Sequence, residues 1–184
     1  GTPAACTPEQ YAQEQAALAL AEQAKGVYQR AVDEIAALER GGGATTPSAE
    51  LAQVAGGPYL TAQQAQLASI SQRGLKLSGS VTIKKLTVAS GATGRGYDAA
   101  LFACLDASKA TLVQQAPTPS AAPVSKGRLI AETAYFKRDA DGTLRPEGPS
   151  QISASLLDPT GAEISTITGV RRDVNLPRAY YEFR

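Results

Sequence analysis

The sequence predicts an α+β fold, in which N-terminal helices, one of them long, pack on a strongly bent antiparallel β-sheet. Two patterns predict it. Apolar residues recur every three or four positions up to about residue 72 and on alternate positions from residue 80 onward. Helices that precede strands joined by short turns are typical of helices packed on one face of an antiparallel sheet. At 184 residues the chain is long enough for one domain and short for two, so we expect residues 1–184 to form a single domain.

Composition excludes several classes of function. The chain has no histidine, which removes Ser-His-Asp and Cys-His catalysis and nearly all zinc and haem sites. Its 18 basic and 17 acidic residues nearly balance, whereas a nucleic-acid-binding protein normally has a basic excess. We therefore expect no nucleic acid, metal or cofactor. No apolar run is long enough to span a membrane, and methionine is absent, so we expect membrane contact only through a removed leader or a lipid anchor.

The long helix is predicted over residues 8–40. Thr7 and Gln10 can form a capping box around Pro8, which needs no hydrogen-bond donor in the first helical turn. The apolar stripe is formed by Leu20, Ala24, Val27, Ala31, Ile35 and Leu38. The glycines at 41–43 end the helix, which is roughly 50 Å long at the usual helical rise. We expect it to lie across its own sheet, and a coiled-coil partner is the alternative.

Two shorter helices are predicted within residues 47–74. The first covers residues 47–55, between Thr46-Pro47 and the glycines at 56–57. The second covers residues 61–72, with Thr61 as its N-cap, and Gly74 ends it.

The sheet is predicted within residues 77–184. Its first strand, residues 80–88, alternates until the apolar positions slip by one at Lys84-Lys85, which predicts a β-bulge that bends the strand. Further strands are predicted at residues 97–106 and 128–138. A hairpin is predicted at 151–168, where DPTG favours a turn, and the final AYYEFR is expected to add an edge strand.

Four residues form a candidate pocket: Asp98, Asp106, Tyr59 and Tyr135. The two carboxylates are eight positions apart on one strand, so they share a face but lie roughly 26 Å from each other. Acid–base pairs need carboxyl groups within about 10 Å. Either aspartate could still act alone as a base, with one of the tyrosines as proton donor. Solvated strand ends are the alternative, and we expect no catalytic residue.

Cys104, in the stretch FACLDASKATLV (102–113), is one of two cysteines. A nucleophilic cysteine needs a histidine, a helix N-terminus or nearby cations to stabilise its thiolate, and a mid-strand position offers none of these. An even cysteine count in a chain that we expect to be exported favours a disulfide between Cys6 and Cys104. The alternatives are a free Cys104 in the core and a lipid-anchored Cys6.

Residues 60–146 resemble the nuclear transport factor 2-like superfamily, and within it secreted lipoproteins of high-GC Gram-positive bacteria (actinobacteria). In those proteins a Cys-x-Asp-x-Ser strand is commonly followed by an Arg-rich strand and an Asp-Gly-Trp-Arg-Val ending. The residues that match are Cys104, Asp106, Ser108, Asp141, Gly142 and Arg145, and Leu144 replaces the tryptophan. The heavy use of alanine with few lysines fits a high-GC source.

The resemblance implies a cone-shaped fold with a pocket between the bent sheet and the helices. Members of the superfamily include isomerases, dehydratases, epoxide hydrolases and non-catalytic modules of conjugation and secretion complexes, so the fold does not choose the function. Our first hypothesis is a non-catalytic module, secreted or lipid-anchored outside the cytoplasm, that binds a protein partner or a small apolar ligand. The second is a small-molecule pocket protein or isomerase-like enzyme with an aspartate base. The third is an envelope-complex subunit that oligomerises through its N-terminal helix.

Overall fold

The structure, a computed structural model, describes residues 7–116, 125–126, 129–149, 151–157 and 163–171, with the strands at 125–126, 151–157 and 163–171 described by their backbone alone. It confirms the α+β fold, since helices are followed by antiparallel sheets. The helices are α1 (Pro8–Arg40), α2 (Ala49–Val54) and α3 (Gly57–Gln72). The strands are β1 (Leu75–Ser78), β2 (Thr82–Val88), β3 (Ala99–Asp106), β4 (Thr111–Gln114), β5 (Ser125–Lys126), β6 (Leu129–Arg138), β7 (Leu144–Pro146), β8 (Gln151–Leu157) and β9 (Glu163–Arg171).

Helix α1 begins and ends at the predicted residues. The Gln10 N–H donates to Thr7 Oγ1 (3.2 Å) and the Thr7 N–H donates to Gln10 Oε1 (2.9 Å), which confirms the capping box. The helix packs on the sheets through a buried face that includes Ala24, Tyr28 and Ala31. Residues 7–19 are exposed, so the core contacts of α1 begin near residue 20. As predicted, the helix lies across its own sheet.

The two short helices begin at residues other than those predicted. Helix α2 starts two residues later, with Ser48 as its N-cap. Helix α3 starts at Gly57, and the predicted N-cap Thr61 lies inside it, donating its hydroxyl to the Gly57 carbonyl (3.1 Å). The Tyr59 N–H in the first turn of α3 donates to a backbone carbonyl just after β7 (3.1 Å). This contact between distant parts of the chain takes the place of a local cap.

The main sheet runs in the order β2-β3-β6-β8-β9, with β7 also paired to β6, and its pairings are antiparallel. The β2–β3 register shifts between Ile83 and Lys85, which confirms the predicted bulge. The predicted hairpin is confirmed as β8 and β9, while its DPTG turn and the final AYYEFR lie outside the described residues. A second sheet, β1-β4-β5, was not predicted, since its strands have only two to four residues.

The helices cover one face of the main sheet, which we call the inner face. Alternate residues of β3 and β6 point to it and are buried. They are Leu101, Ala103, Leu105, Ile130, Glu132, Ala134 and Phe136. Phe102 and Cys104 point to the opposite, outer face and are half-buried. Within the described part of the chain, no helix combines the length and the apolar character needed to cross a membrane.

Candidate functional site

A groove with a volume of about 240 Å³ lies between α1 and the edge of the main sheet. Helix α1 lines it with Ala17, Leu20 and Ala21, and the end of β2, the loop after it and the start of β3 line the other sides. Apart from Thr93 and Asp98, the lining residues are apolar or glycine. Half of them are alanines, whose small side chains leave space between the helix and the sheet.

Asp98 contributes the carboxylate of this lining, and β6 fixes its position. The Arg138 N–H donates to Asp98 Oδ2 (2.7 Å), and the Asp98 N–H donates to the Phe136 carbonyl (2.9 Å). The Arg138 guanidinium in turn donates to the Gly142 carbonyl (2.5 Å) and to Gln23 Oε1 on α1 (2.9 Å). The groove therefore has a carboxylate in a fixed position, and the Arg138 guanidinium lies between the turn after β6 and α1.

Exposed apolar side chains lie on the elements that form the groove. Val88, which lines it at the end of β2, is 62% exposed. Tyr11 and Leu18, on the exposed first turns of α1, are 60% and 55% exposed. Strand β2 is also at the end of the strand order, so within the described residues one of its backbone edges has no neighbouring strand. The groove thus lies beside a strand edge, between elements that carry exposed apolar side chains.

A second polar feature lies in the core behind the groove. The Tyr28 hydroxyl on α1 donates to Glu132 Oε2 on β6 (2.6 Å), and Glu132 is only 1% exposed. Its other oxygen, Oε1, is buried and has no hydrogen-bond partner among the described residues. Burial of a carboxyl group with an unpaired oxygen is costly, and such positions are often functional.

Sequence reasoning did not select this pair, although a signal for Glu132 exists. Ile130, Ala134 and Phe136 define the inner face of β6, and Glu132 falls on the same alternation. A glutamate on the apolar face of a strand was therefore visible in the sequence. Its partner Tyr28 lies 104 residues away in the chain, and no local pattern indicates that contact.

The structure does not bring the four predicted pocket residues together. Asp98 precedes β3 and Asp106 is its last residue, so the two carboxylates lie at opposite ends of the strand. Tyr59 is buried in the core cluster with α1, whereas Tyr135 lies in a separate cluster. Only Asp98 lines the groove.

Asp106 and Tyr135 each have local partners instead. The hydroxyl and N–H of Ser108 donate to Asp106 Oδ1 (2.5 Å and 2.9 Å), and together with the nearby Lys84 they lower the pKa of Asp106. The ring of Tyr135 packs against Tyr97, with 5.3 Å between the centroids. The Arg95 guanidinium lies 5.3 Å from the centre of the same Tyr135 ring, a cation–π geometry.

Cys104 lies on the outer face, paired with Lys85 of β2 and Ala131 of β6. Its predicted partner Cys6 lies outside the described residues, so the disulfide stays a prediction. No family model, no curated protein and no solved structure matches the chain. The nuclear transport factor 2-like assignment therefore also stays a prediction.

Proposed function

We propose that this chain is a non-catalytic module of nuclear transport factor 2-like fold, secreted or lipid-anchored outside the cytoplasm, that binds a partner protein through the groove. The observation that carries the proposal is the apolar groove, together with the exposed side chains of Val88 in its lining and of Leu18 and Tyr11 on the helix that lines it. Contiguous exposed apolar surface on a soluble protein marks interaction sites.

The size of the groove favours a protein segment over a small molecule. Pockets for drug-sized ligands have volumes of about 300–1,000 Å³ and enclose most of the ligand. A space of about 240 Å³ that is open at the surface suits one or two side chains of a partner. Strand β2 alongside it can add backbone hydrogen bonds to an extended segment, as in β-strand addition.

The location outside the cytoplasm rests on the sequence. The support comes from the even cysteine count and from the resemblance to secreted lipoproteins. It is tested separately, through the state of the cysteines. Two free thiols would leave the binding role of the groove unaffected, whereas a bridge between Cys6 and Cys104 of one chain would unwind the start of α1 and remove the α1 side of the groove.

Blocking the groove tests the binding role. Ala17→Phe places a ring in the groove, while Ala16→Phe places the same ring on the exposed helix surface next to it, with the same change in helix propensity. The probe is N-phenyl-1-naphthylamine, a neutral dye that fluoresces in apolar sites. We expect saturable binding to the wild-type chain and to Ala16→Phe, and weaker binding to Ala17→Phe. Equal binding by the two variants would show that the groove is not the site.

The Glu132–Tyr28 pair favours a second candidate function, an isomerase-like enzyme. A buried carboxylate beside a tyrosine hydroxyl can move a proton next to a carbonyl group. Here Glu132 would take the role predicted for Asp98 or Asp106. Incubation with cyclohexanone in D₂O, followed by NMR, measures such proton exchange. Exchange by the wild-type chain that Glu132→Gln abolishes would support the enzyme, and exchange at the uncatalysed rate would support the binding module.

A further inference from the structure

We propose that the partner segment is basic and amphipathic, with an apolar face that contacts Tyr11 and Leu18 and enters the groove, and with Lys or Arg side chains that pair with Glu14 and Asp98. The inference rests on the proposed function, because it names the class of partner for the same groove.

The apolar part of this surface follows from helix geometry. Tyr11 and Leu18 are seven positions apart, which places them about 20° apart around α1 and two turns from each other. Ala17, which lines the groove, lies about 100° from Leu18 around the same helix. Both large side chains are more than half exposed. We call the surface formed by Tyr11, Glu14 and Leu18 the α1 flank, and it borders the groove on one side.

The charges on the first turns of α1 are negative. Helix α1 contains Glu9, Glu14 and Glu22 but no basic residue before Lys25. Lys25 pairs with Glu22 (2.7 Å), so that pair is neutral as a unit. Glu14 lies about 40° from Leu18 around the helix, within the α1 flank. Glu14 gives an acidic character to this otherwise apolar flank, and Asp98 adds a second carboxylate in the groove, on the side where the Arg138 guanidinium donates to Gln23.

Charge complementarity distinguishes between the possible binding partners of this surface. A two-fold dimer of this chain through the α1 flank would place the same acidic surface against itself, because both subunits use the same patch in such a dimer. An anionic membrane or a nucleic acid would likewise be repelled. A basic segment gains attraction from Glu14 and Asp98 while its apolar face covers Leu18 and Tyr11.

The test uses two labelled 18-residue peptides with leucines at the same helical positions i, i+3, i+4 and i+7, one with lysines and the other with glutamates elsewhere. Fluorescence anisotropy at low salt measures their binding to the full chain. We expect the lysine peptide to bind at least about tenfold more tightly, with an affinity that falls as salt is added. Equal binding of the two peptides would overturn the proposed partner class.

Variants of the α1 flank locate the contact. Leu18→Gln should weaken binding of the lysine peptide by about tenfold, because apolar burial is lost, and Glu14→Gln should weaken it by up to about fivefold. The matched control is Ala16→Gln, an exposed position on another side of the same helix. If Leu18→Gln and Glu14→Gln both bind the lysine peptide as tightly as Ala16→Gln does, the proposed contact is wrong.

Two further results separate this inference from the function on which it rests. In the first, the dye binds saturably, Ala17→Phe weakens that binding, and the two peptides bind with equal affinity. This result would retain the groove as a binding site and reject the basic partner. Light scattering that shows a dimer, which Leu18→Gln dissociates, would assign the α1 flank to a second copy of the chain and also reject it.

Discussion

The carboxyl group of Glu132 is buried among apolar side chains of the core, and the Tyr28 hydroxyl donates a hydrogen bond to one of its two oxygens. The net gain from such a hydrogen bond is modest, but removing one partner leaves a buried polar group without compensation. The neighbours of Glu132 on the inner face, Ile130 and Ala134, cannot replace the hydroxyl. The stability of the core therefore depends on this pair more than on a typical surface contact.

A double-mutant cycle measures the coupling of this pair. We expect Tyr28→Phe to lower the free energy of unfolding by about 1–3 kcal/mol, because Glu132 then loses its donor. Combining it with Glu132→Leu should recover most of that loss, since two apolar side chains of similar size need no hydrogen bond. Urea unfolding of the four proteins gives the coupling energy. If the effects of the two single substitutions sum to that of the double substitution within about 0.5 kcal/mol, the two residues are not coupled.

At the scale of elements, the turn between β6 and β7 is held by carboxylates. The Thr143 N–H donates to Asp139 Oδ1 (3.0 Å) and to Asp141 Oδ1 (2.8 Å), and the Gly142 N–H donates to the Asp139 carbonyl (3.0 Å). Arg145 pairs with the Asp139 carboxylate and also donates to a carbonyl at the end of α2 (3.0 Å). This turn thus connects the sheet to a helix.

Acid should weaken this turn in a defined pH range. The hydrogen bond with the Asp139 side chain, followed by those with the Thr143 side chain and N–H, lowers the pKa of Asp141 from 3.8 to about 2. A pKa that is lower in the folded chain means that the ionised carboxylate stabilises the fold above about pH 4, and that this stabilisation is lost as the pH falls to about 2. Asp141→Asn cannot ionise.

We therefore expect Asp141→Asn to be less stable than the wild-type chain at pH 7 and to show a smaller decrease in stability between pH 5 and pH 2. Thermal unfolding across this range measures the difference between the two proteins. Glu14→Gln, which removes an exposed carboxylate from α1, is the control. A difference between wild type and Asp141→Asn that does not change with pH would contradict the role of Asp141.

Elements with local signals could be predicted from the sequence, and elements that depend on distant contacts could not. The capping box at Thr7 and the glycines after Arg40 are local, and α1 has the predicted bounds. The bulge at Lys84 was predicted for the same reason. The start of α3 depends on a contact with residues after β7, and the predicted cap Thr61 was wrong. Half of the residues that line the groove are alanines, which carry no distinctive sequence signal.

At the scale of the whole molecule, the predicted disulfide sets a geometric condition on α1. A disulfide requires its two Cα atoms to lie within about 7 Å. Cys104 is on the outer face of the sheet, while α1 packs on the inner face. Thr7 precedes Tyr28 by 21 residues, which is about 30 Å along a continuous helix. A bridge between Cys6 and Cys104 of one chain therefore requires the exposed first turns of α1 to unwind.

Unwinding those turns is inexpensive, because residues 7–19 are exposed and the apolar core begins further along the helix. Thirteen residues in extended form reach about 43 Å, enough to pass around the sheet edge. The bridge would close a loop of about 100 residues and stabilise the fold by up to about 4.7 kcal/mol in the chain-entropy description. That stabilisation can offset the loss of a few exposed helical turns, but the bridged chain would also lose Ala17 from the groove and the helical arrangement of the α1 flank. The proposed binding surface therefore belongs to the chain without this bridge.

We therefore expect protein purified from an oxidising compartment to have no free thiols when denatured, and to gain helical circular dichroism at 222 nm on reduction, as residues 8–19 regain their helix. Thiol titration and the spectra of the oxidised and reduced protein measure both effects. Cys6→Ser, which cannot form the bridge, should show no change in helical signal on reduction. Two free thiols per chain would contradict the disulfide, and a dimer on a non-reducing gel would assign it to a contact between chains.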